Sequence, residues 1–259
     1  MTAVIIPSLR LDGKVALVTG CGAGIGRALA VGMAAAGADV AAAELSGQLF
    51  LADRNVAAVR ELGRDALSVE LDVTDVDSIA SGVETVQRHF GHIDVLVNNA
   101  GVNIVKPAFE LTPEDWDLTH RVNLRGVFFC SQVVGRLMAA QGRGKIINVA
   151  SQFGLVGYPG RAAYSASKGG IVNLTRTLAV EWAEHHITVN AIAPTYTATV
   201  HNEALRVDPG FVRAYTERIP LGRLGIPEDL IGAVVYLASP SADMVTGQTL
   251  AIDGGWTAW

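Results

Sequence analysis

The chain has 259 residues, 50% of them hydrophobic and 17% charged, with 28 glycines and a formal net charge of −5. A polypeptide of this size buries about three quarters of its unfolded surface, so one α/β domain with a large core is within reach. The mild negative charge and the lack of a long basic run exclude nucleic acid and anionic membrane surfaces as expected partners, and no apolar run is long enough for a membrane span.

Short apolar runs alternate with longer helical patterns from end to end. VALVTG (15–20) predicts a buried strand, followed by a Gly-rich turn and a helix through RALAVGMAAAG (27–37). DVAAAE (39–44) predicts a second strand, with an amphipathic stretch near 52–63 after it. ALSVELDV (66–73) predicts a third strand, and residues 76–91 carry a helical period that ends on a glycine. IDVLVNNAG (93–101) predicts a fourth strand and its turn. Residues 112–142 read as one long helix, with Thr112 as N-cap and Pro113 at its first position. GKIINVAS (144–151) is the fifth expected strand, Ala163 to His185 a second long helix, ITVNAIAP (187–194) the sixth strand and TLAIDGG (249–255) the seventh. Apolar strands alternating with helices imply a parallel sheet covered on both faces. With no linker, repeat or low-complexity segment, residues 1–259 are expected to form one domain.

Three local patterns carry chemistry. TGCGAGIG (19–26) follows a strand and opens a helix, where glycines allow a sharp turn and unpaired N–H groups can meet a phosphate; the alternative is a turn without a ligand. Glu44 closes the second strand, where a carboxylate can accept from a ribose 2′-hydroxyl and would repel a 2′-phosphate. A solvated loop acid is the other reading, but the next basic residue is Arg54, which favours NAD over NADP. In YSASK (164–168), positions i and i+4 of a helix make Tyr164 and Lys168 neighbours. An ammonium beside a phenol favours the phenolate, lowering a pKa that starts near 10 and making the tyrosine usable as an acid or base. Taken alone, such a pair is common on surface helices. Ser151 ends the fifth strand, on the edge where α/β sheets place ligands.

In this order and at these separations, TGxxxGxG, NNAG, Asn123, Ser151 and YxxxK resemble the short-chain dehydrogenase/reductase family, from about Leu11 to Gly255. The resemblance implies a single-domain Rossmann fold, a doubly wound seven-stranded parallel sheet with helices on both faces. It implies that Tyr164 is the catalytic acid/base, that Lys168 lowers its pKa and holds the nicotinamide ribose, and that Ser151 polarises the substrate oxygen. Asn123 would anchor a water linking Lys168 to solvent. Gly20, Gly24, Ile25 and Gly26 match the pyrophosphate turn, Asp72 and Val73 the pair flanking adenine, and Asn98, Ala100 and Gly101 the turn beside the ribose. For Asn98, tying neighbouring strands together is an equal alternative. Thr199 matches the threonine that binds the carboxamide. One departure stands out: Thr195 replaces the glycine usual after the sixth strand, and a β-branched residue is unsuited to positive φ.

Substrate is expected to face Asn103–Val105, Ser151, Gln152–Gly154, Tyr158 and Tyr164, under a lid at about 195–213. Gln152, Asn103, Tyr196 and His201 could hydrogen-bond hydroxyl groups, though ordinary loop polarity explains them equally. The C-terminal half is similar to members acting on sugar acids and polyols, including gluconate and deoxygluconate dehydrogenases. The rival is a 3-oxoacyl thioester reductase, and a non-catalytic nucleotide-sensing relative is a further alternative. The two long helices carry apolar residues on more than one face, and the resemblance implies a homotetramer packed through them. The terminal WTAW is expected at a subunit contact or over a neighbour's pocket. No metal site is expected: His89, His92, His120, His185, His186 and His201 lack ligand spacing. His185 and His186 suit a helix C-terminus. Cys21 and Cys130 show no disulfide or zinc pattern, Cys21 reads as a packing residue that thiol reagents could reach, and the N-terminus lacks a signal-peptide pattern, so a reducing cytoplasm is expected.

Overall fold

Val15–Thr19 (β1) is buried along its whole length, and its alternating side chains feed two separate cores. In the computed structural model, which describes residues 7–200 and 208–258, six further strands join it. They are β2 (Asp39–Glu44), β3 (Ala66–Glu70), β4 (Val95–Asn98), β5 (Gly144–Val149), β6 (Ile187–Pro194) and β7 (Thr249–Ile252). All pairings are parallel, in the order β3-β2-β1-β4-β5-β6-β7. The chain reverses its direction of travel across the sheet between β1 and β4, which opens a crevice at the carboxyl ends of those strands.

Ala16 and Val18 face a core shared with α1 (Gly24–Ala35), α2 (Leu49–Glu61) and the helix Glu228–Ala238. Val15 and Leu17 face the opposite core, with α3 (Val76–Phe90), α5 (Gly126–Gln141) and α6 (Ala162–Glu181). The doubly wound sheet expected from the sequence is therefore present. Local signals place several ends. Asp75 caps α3 by accepting from the Asp77 N–H, and Gly91 ends it at φ 81°. Thr112 and Asp115 form a reciprocal capping box at α4 (Pro113–His120), with Pro113 in the first turn.

Two expectations are corrected. The long helix expected over 112–142 is α4 and α5 joined by a π-helical turn at Arg121–Arg125. The second long helix stops at Glu181, and a 3-10 turn with His186 left-handed at φ 56° leads into β6. The helices Pro209–Thr216 and Glu228–Ala238 had no counterpart in the sequence reading. Glu228–Ala238 packs against α1 at Gly32, where an added Cβ would meet the Ile231 side chain at 2.5 Å.

Candidate active site

The turn between β1 and α1 is built around close backbone contact. Gly20 and Gly24 have φ of 61° and 56°, and a Cβ at Gly26 would lie 2.2 Å from the Gly20 carbonyl oxygen. Helix α1 opens on Ala23 with no side-chain cap and no acid in its first turn, so its first N–H groups remain available to an anion. Ile25 is half-buried against the core beneath. Glu44 reaches this turn: its Oε2 accepts from the Gly22 N–H at 2.9 Å and its Oε1 from the Leu45 N–H at 3.0 Å. These residues fit the pyrophosphate and ribose of a dinucleotide. Asp72 accepts from the backbone and hydroxyl of Thr74, each at 2.8 Å, and Val73 is buried against Gly126. Thr19 Oγ accepts from the Asn99 and Ala100 N–H groups, which sets the next turn beside Gly20.

The expected catalytic residues converge at the same carboxyl ends of the central strands. Asn123 lies in the π turn, where its side chain holds both backbone groups of Val102 (2.8 and 2.9 Å) and donates to Ser167 Oγ at 3.1 Å. Ser167 in turn donates to the Tyr164 carbonyl at 2.8 Å, which ties the loop after β4 to the first turn of α6. Lys168 Nζ donates to the Val149 carbonyl at 2.7 Å and lies 5.7 Å from the Tyr164 ring centroid. A Cβ at Gly101 would be 3.7 Å from that ammonium. Burial holds the Lys168 pKa down to about 8. Ser151 Oγ accepts from the Phe153 N–H at 3.2 Å, and its hydroxyl favours the Tyr164 phenolate. Beyond Tyr164, Phe153, Tyr158, Tyr196, Tyr215 and Trp256 form an aromatic wall, with ring centroids 4.9 Å apart for Phe153–Tyr158 and 4.8 Å for Tyr196–Tyr215. Gln152, which precedes Phe153, is 1% exposed, and neither polar atom of its amide has a partner.

A short-chain dehydrogenase family model described as enoyl-(acyl carrier protein) reductase matches residues 20–257. The chain belongs to the short-chain dehydrogenase/reductase family. It is 43% identical over 256 residues to 2-dehydro-3-deoxy-D-gluconate 5-dehydrogenase of Escherichia coli K12, covering 98% of this chain and 100% of that protein. It is 40% identical to a 3-oxoacyl-[acyl-carrier-protein] reductase of Synechocystis, over 95% of this chain and 97% of that one. A crystal structure of gluconate 5-dehydrogenase from Burkholderia cenocepacia in complex with NADP and tartrate superposes with a TM-score of 0.93 at 39% identity, covering 98% of this chain and 99% of the other. The chain is thus an NAD(P)-dependent dehydrogenase acting on CH–OH groups.

Within this short-chain dehydrogenase, several expectations about single residues need correction. Tyr164 does not have its phenol pKa lowered by Lys168; burial raises it, and the Ser151 hydrogen bond and the Arg161 charge offset part of that rise. Asn98 faces the core, where its amide donates to Ser131 and Asn148 at 2.9 Å each, so its side chain ties β4 to its neighbours. Asn99 is the residue that meets the nucleotide turn, donating to the Thr19 and Gly20 carbonyls. Cys21 is fully buried, and desolvation with the Glu44 charge pushes its thiol up to about 12, which leaves little thiolate for a reagent. Trp256 docks on this chain's own aromatic wall. Trp259 and His201 lie outside the described residues, as does the 201–207 part of the expected lid.

Asn103 is exposed on the loop after β4, and Thr199 is half-buried near the Thr197–Gly225 bridge. Thr195 keeps ordinary backbone angles, since His186 is the one non-glycine residue at positive φ among those described, and its N–H donates to the Ile252 carbonyl at 3.1 Å. Sequence reasoning missed Arg161 and Tyr215, which join the site through a 3.3 Å hydrogen bond. Arg161 precedes Tyr164 by three positions at a helix start, a spacing that could have drawn it in; Tyr215 carried no local signal. Away from the chemistry, a groove of about 760 Å³ runs between α5 and α6, lined in part by Leu124, Phe128 and Leu174.

Proposed function

We propose that the enzyme interconverts a secondary alcohol and a ketone on a sugar acid, keto-sugar acid or polyol, with NAD(H) preferred over NADP(H). The observation that carries the substrate class is Gln152: a buried amide with two unpartnered polar atoms, next to Ser151, suits a ligand rich in hydroxyl groups. Tyr158 and Tyr196 border the same face, and Asn103 lies on the adjoining loop. The E. coli relative, a dehydrogenase of 2-dehydro-3-deoxy-D-gluconate, and the gluconate 5-dehydrogenase structure support this class. The Synechocystis relative keeps the thioester reductase as the second reading; the polar Gln152 disfavours an acyl chain at this position.

Glu44 supports the cofactor preference, because a carboxylate already touching the Gly22 N–H would repel a 2′-phosphate. When bound, the nicotinamide supplies or accepts the hydride. Tyr164 then gives a proton to the ketone oxygen, or takes one from the alcohol, at its own hydroxyl. Ser151 accepts from the Phe153 N–H, so its one hydroxyl proton is left to donate to the substrate oxygen. Lys168, fixed on the Val149 carbonyl, places a positive charge behind the phenol and beside Gly101, where a ribose would lie. Asn123 holds the surrounding backbone in register. Retention of Ser151, Tyr164 and Lys168 together argues against a purely nucleotide-sensing role.

The assay is oxidation of aldonates and polyols, and reduction of their keto forms and of 3-oxoacyl thioesters, followed at the NADH band with both cofactors. The reading expects turnover of at least one sugar acid or polyol, with kcat/KM for NAD at least about tenfold above NADP. Tyr164→Phe should cost about 10²–10⁴ in kcat. Turnover of thioesters alone, or wild-type turnover by Tyr164→Phe, would refute it. The segment at about 195–213 is proposed as the substrate lid, the assembly as a homotetramer and the location as a reducing cytoplasm, in keeping with the unpaired, buried Cys21 and Cys130.

A further inference from the structure

Arg161 occupies the position before α6, is 4% exposed, and lies beside the reacting tyrosine. Its Nη2 donates to Tyr215 Oη at 3.3 Å, and its Cζ is 5.8 Å from the Phe153 ring centroid. Its Nε and Nη1 are buried without a partner. None of the ion pairs among the described residues includes it. The contrast with this chain's other arginines is informative. Arg223 grips both oxygens of Asp229 at 2.6 and 2.8 Å, and Arg64 is paired with Asp39 at 2.8 Å, although both remain far more exposed. A buried guanidinium with a single long hydrogen bond and an aromatic neighbour is poorly compensated, and burying such a charge unpaired is strongly unfavourable. Two of its three nitrogens have no acceptor, and the side chains shown against it, Phe153 and Tyr215, are aromatic.

We infer that Arg161 is the carboxylate-recognition residue of the substrate site, and that the substrate carries a carboxylate. This rests on the sugar-acid reading and narrows it: neither a neutral polyol nor an acyl thioester offers an anion there. A planar guanidinium is suited to a carboxylate through parallel charge-assisted hydrogen bonds. Arg218, exposed at the rim with its Cζ 5.4 Å from the Tyr158 ring centroid and 5.9 Å from Trp256, extends the positive charge to the entrance. Asp253, three residues before Trp256, is occupied by its own turn, accepting from the Gly255 and Thr257 N–H groups and the Thr257 hydroxyl.

Calorimetric titration of the NADH-loaded enzyme tests this without turnover, using matched acid and polyol pairs: D-gluconate with D-glucitol, D-galactonate with galactitol, and L-tartrate with L-threitol. The wild type should bind the acid at least tenfold tighter in one pair or more. Arg161→Met, which removes an uncompensated buried charge, should lower that acid-to-polyol ratio by tenfold or more, and Arg161→Lys should retain part of it. The same acid should raise the melting temperature of the wild type and not that of Arg161→Met. If the methionine variant lacks a cooperative melt, Arg161→Gln is read with the same outcomes. An unchanged ratio, equal weakening of acid and polyol, or no acid preference in any wild-type pair would overturn the inference. Oxidation of polyols with no acid preference would defeat it while leaving the sugar dehydrogenase reading intact. Acid binding through Arg161 without oxidation of any sugar acid or polyol would do the reverse.

Discussion

An ammonium buried against one carbonyl, as Lys168 is against Val149, is stabilised by that bond and destabilised by lost hydration. Here desolvation prevails and brings its pKa from 10.5 to about 8. Below pH 8 the lysine is charged in both folded and unfolded chains, so the folded protein bears the full penalty. Between about 8 and 10.5 the folded lysine is neutral while the unfolded one still holds its proton, so this residue makes stability rise with pH. That interval corresponds to about 3 kcal/mol as an upper bound. Lys168→Met removes the term, so its stability relative to wild type should fall by about 1–3 kcal/mol from pH 7 to pH 10, measured by urea unfolding. A pH-independent difference would mean that Lys168 is not desolvated as described. At this scale the sequence made Tyr164, Lys168, Ser151 and Gly26 legible because chemistry and spacing coincide within one turn or at one strand end. It could not reveal that Asn98 points inward and Asn99 outward, since two adjacent asparagines look alike until the strand's pleat assigns their faces. The direction of the Tyr164 shift was hidden too, because it depends on burial by residues distant in sequence.

The elements were legible where periodicity and caps agree, as at the Thr112–Asp115 capping box and the Gly91 stop. The π turn at Asn123 was not, because the apolar spacing of Val127, Cys130, Val134 and Met138 in α5 continues the pattern past it. Such turns concentrate at functional positions, and this one aims the Asn123 side chain at Val102 and Ser167. Helix Glu228–Ala238 was hidden because most of its residues are apolar and its start at Pro227 has no side-chain cap. The end of α6 allows a direct test. His186 is exposed and left-handed at φ 56°, ψ 35°, a conformation that glycine tolerates and histidine resists. His186→Gly should stabilise the protein by about 0.5–1 kcal/mol, measured by thermal or urea unfolding. A lowered melting temperature would show that the histidine makes a compensating contact.

At the scale of the molecule, the site lies at the carboxyl ends of the central strands, and the outer faces of α5 and α6 take no part in it. Phe128 and Leu174 on those faces, with Leu124 of the π turn, nevertheless stand half-buried along the groove of about 760 Å³, with Asp117, His120, Arg121 and Arg125 also in its walls. Apolar residues framed by charged ones suit an interface between copies of the chain better than a permanently solvated surface. If the homotetramer packs through these helices, a carboxylate placed among the apolar residues would lose its hydration in the assembly but keep it in a separate subunit. Phe128→Glu should therefore weaken association by about 10² or more, from a penalty on the order of 3 kcal/mol, while leaving the circular dichroism of the fold unchanged. Light scattering after size exclusion reads this as a shift from the tetramer's mass to that of a smaller species. A wild type that is already monomeric would refute the assembly, and a Phe128→Glu variant that remains tetrameric would move the interface elsewhere. Because α6 also carries Tyr164 and Lys168 in its first two turns, loss of assembly should lower the melting temperature and kcat together, whereas an interface remote from α6 would leave kcat untouched.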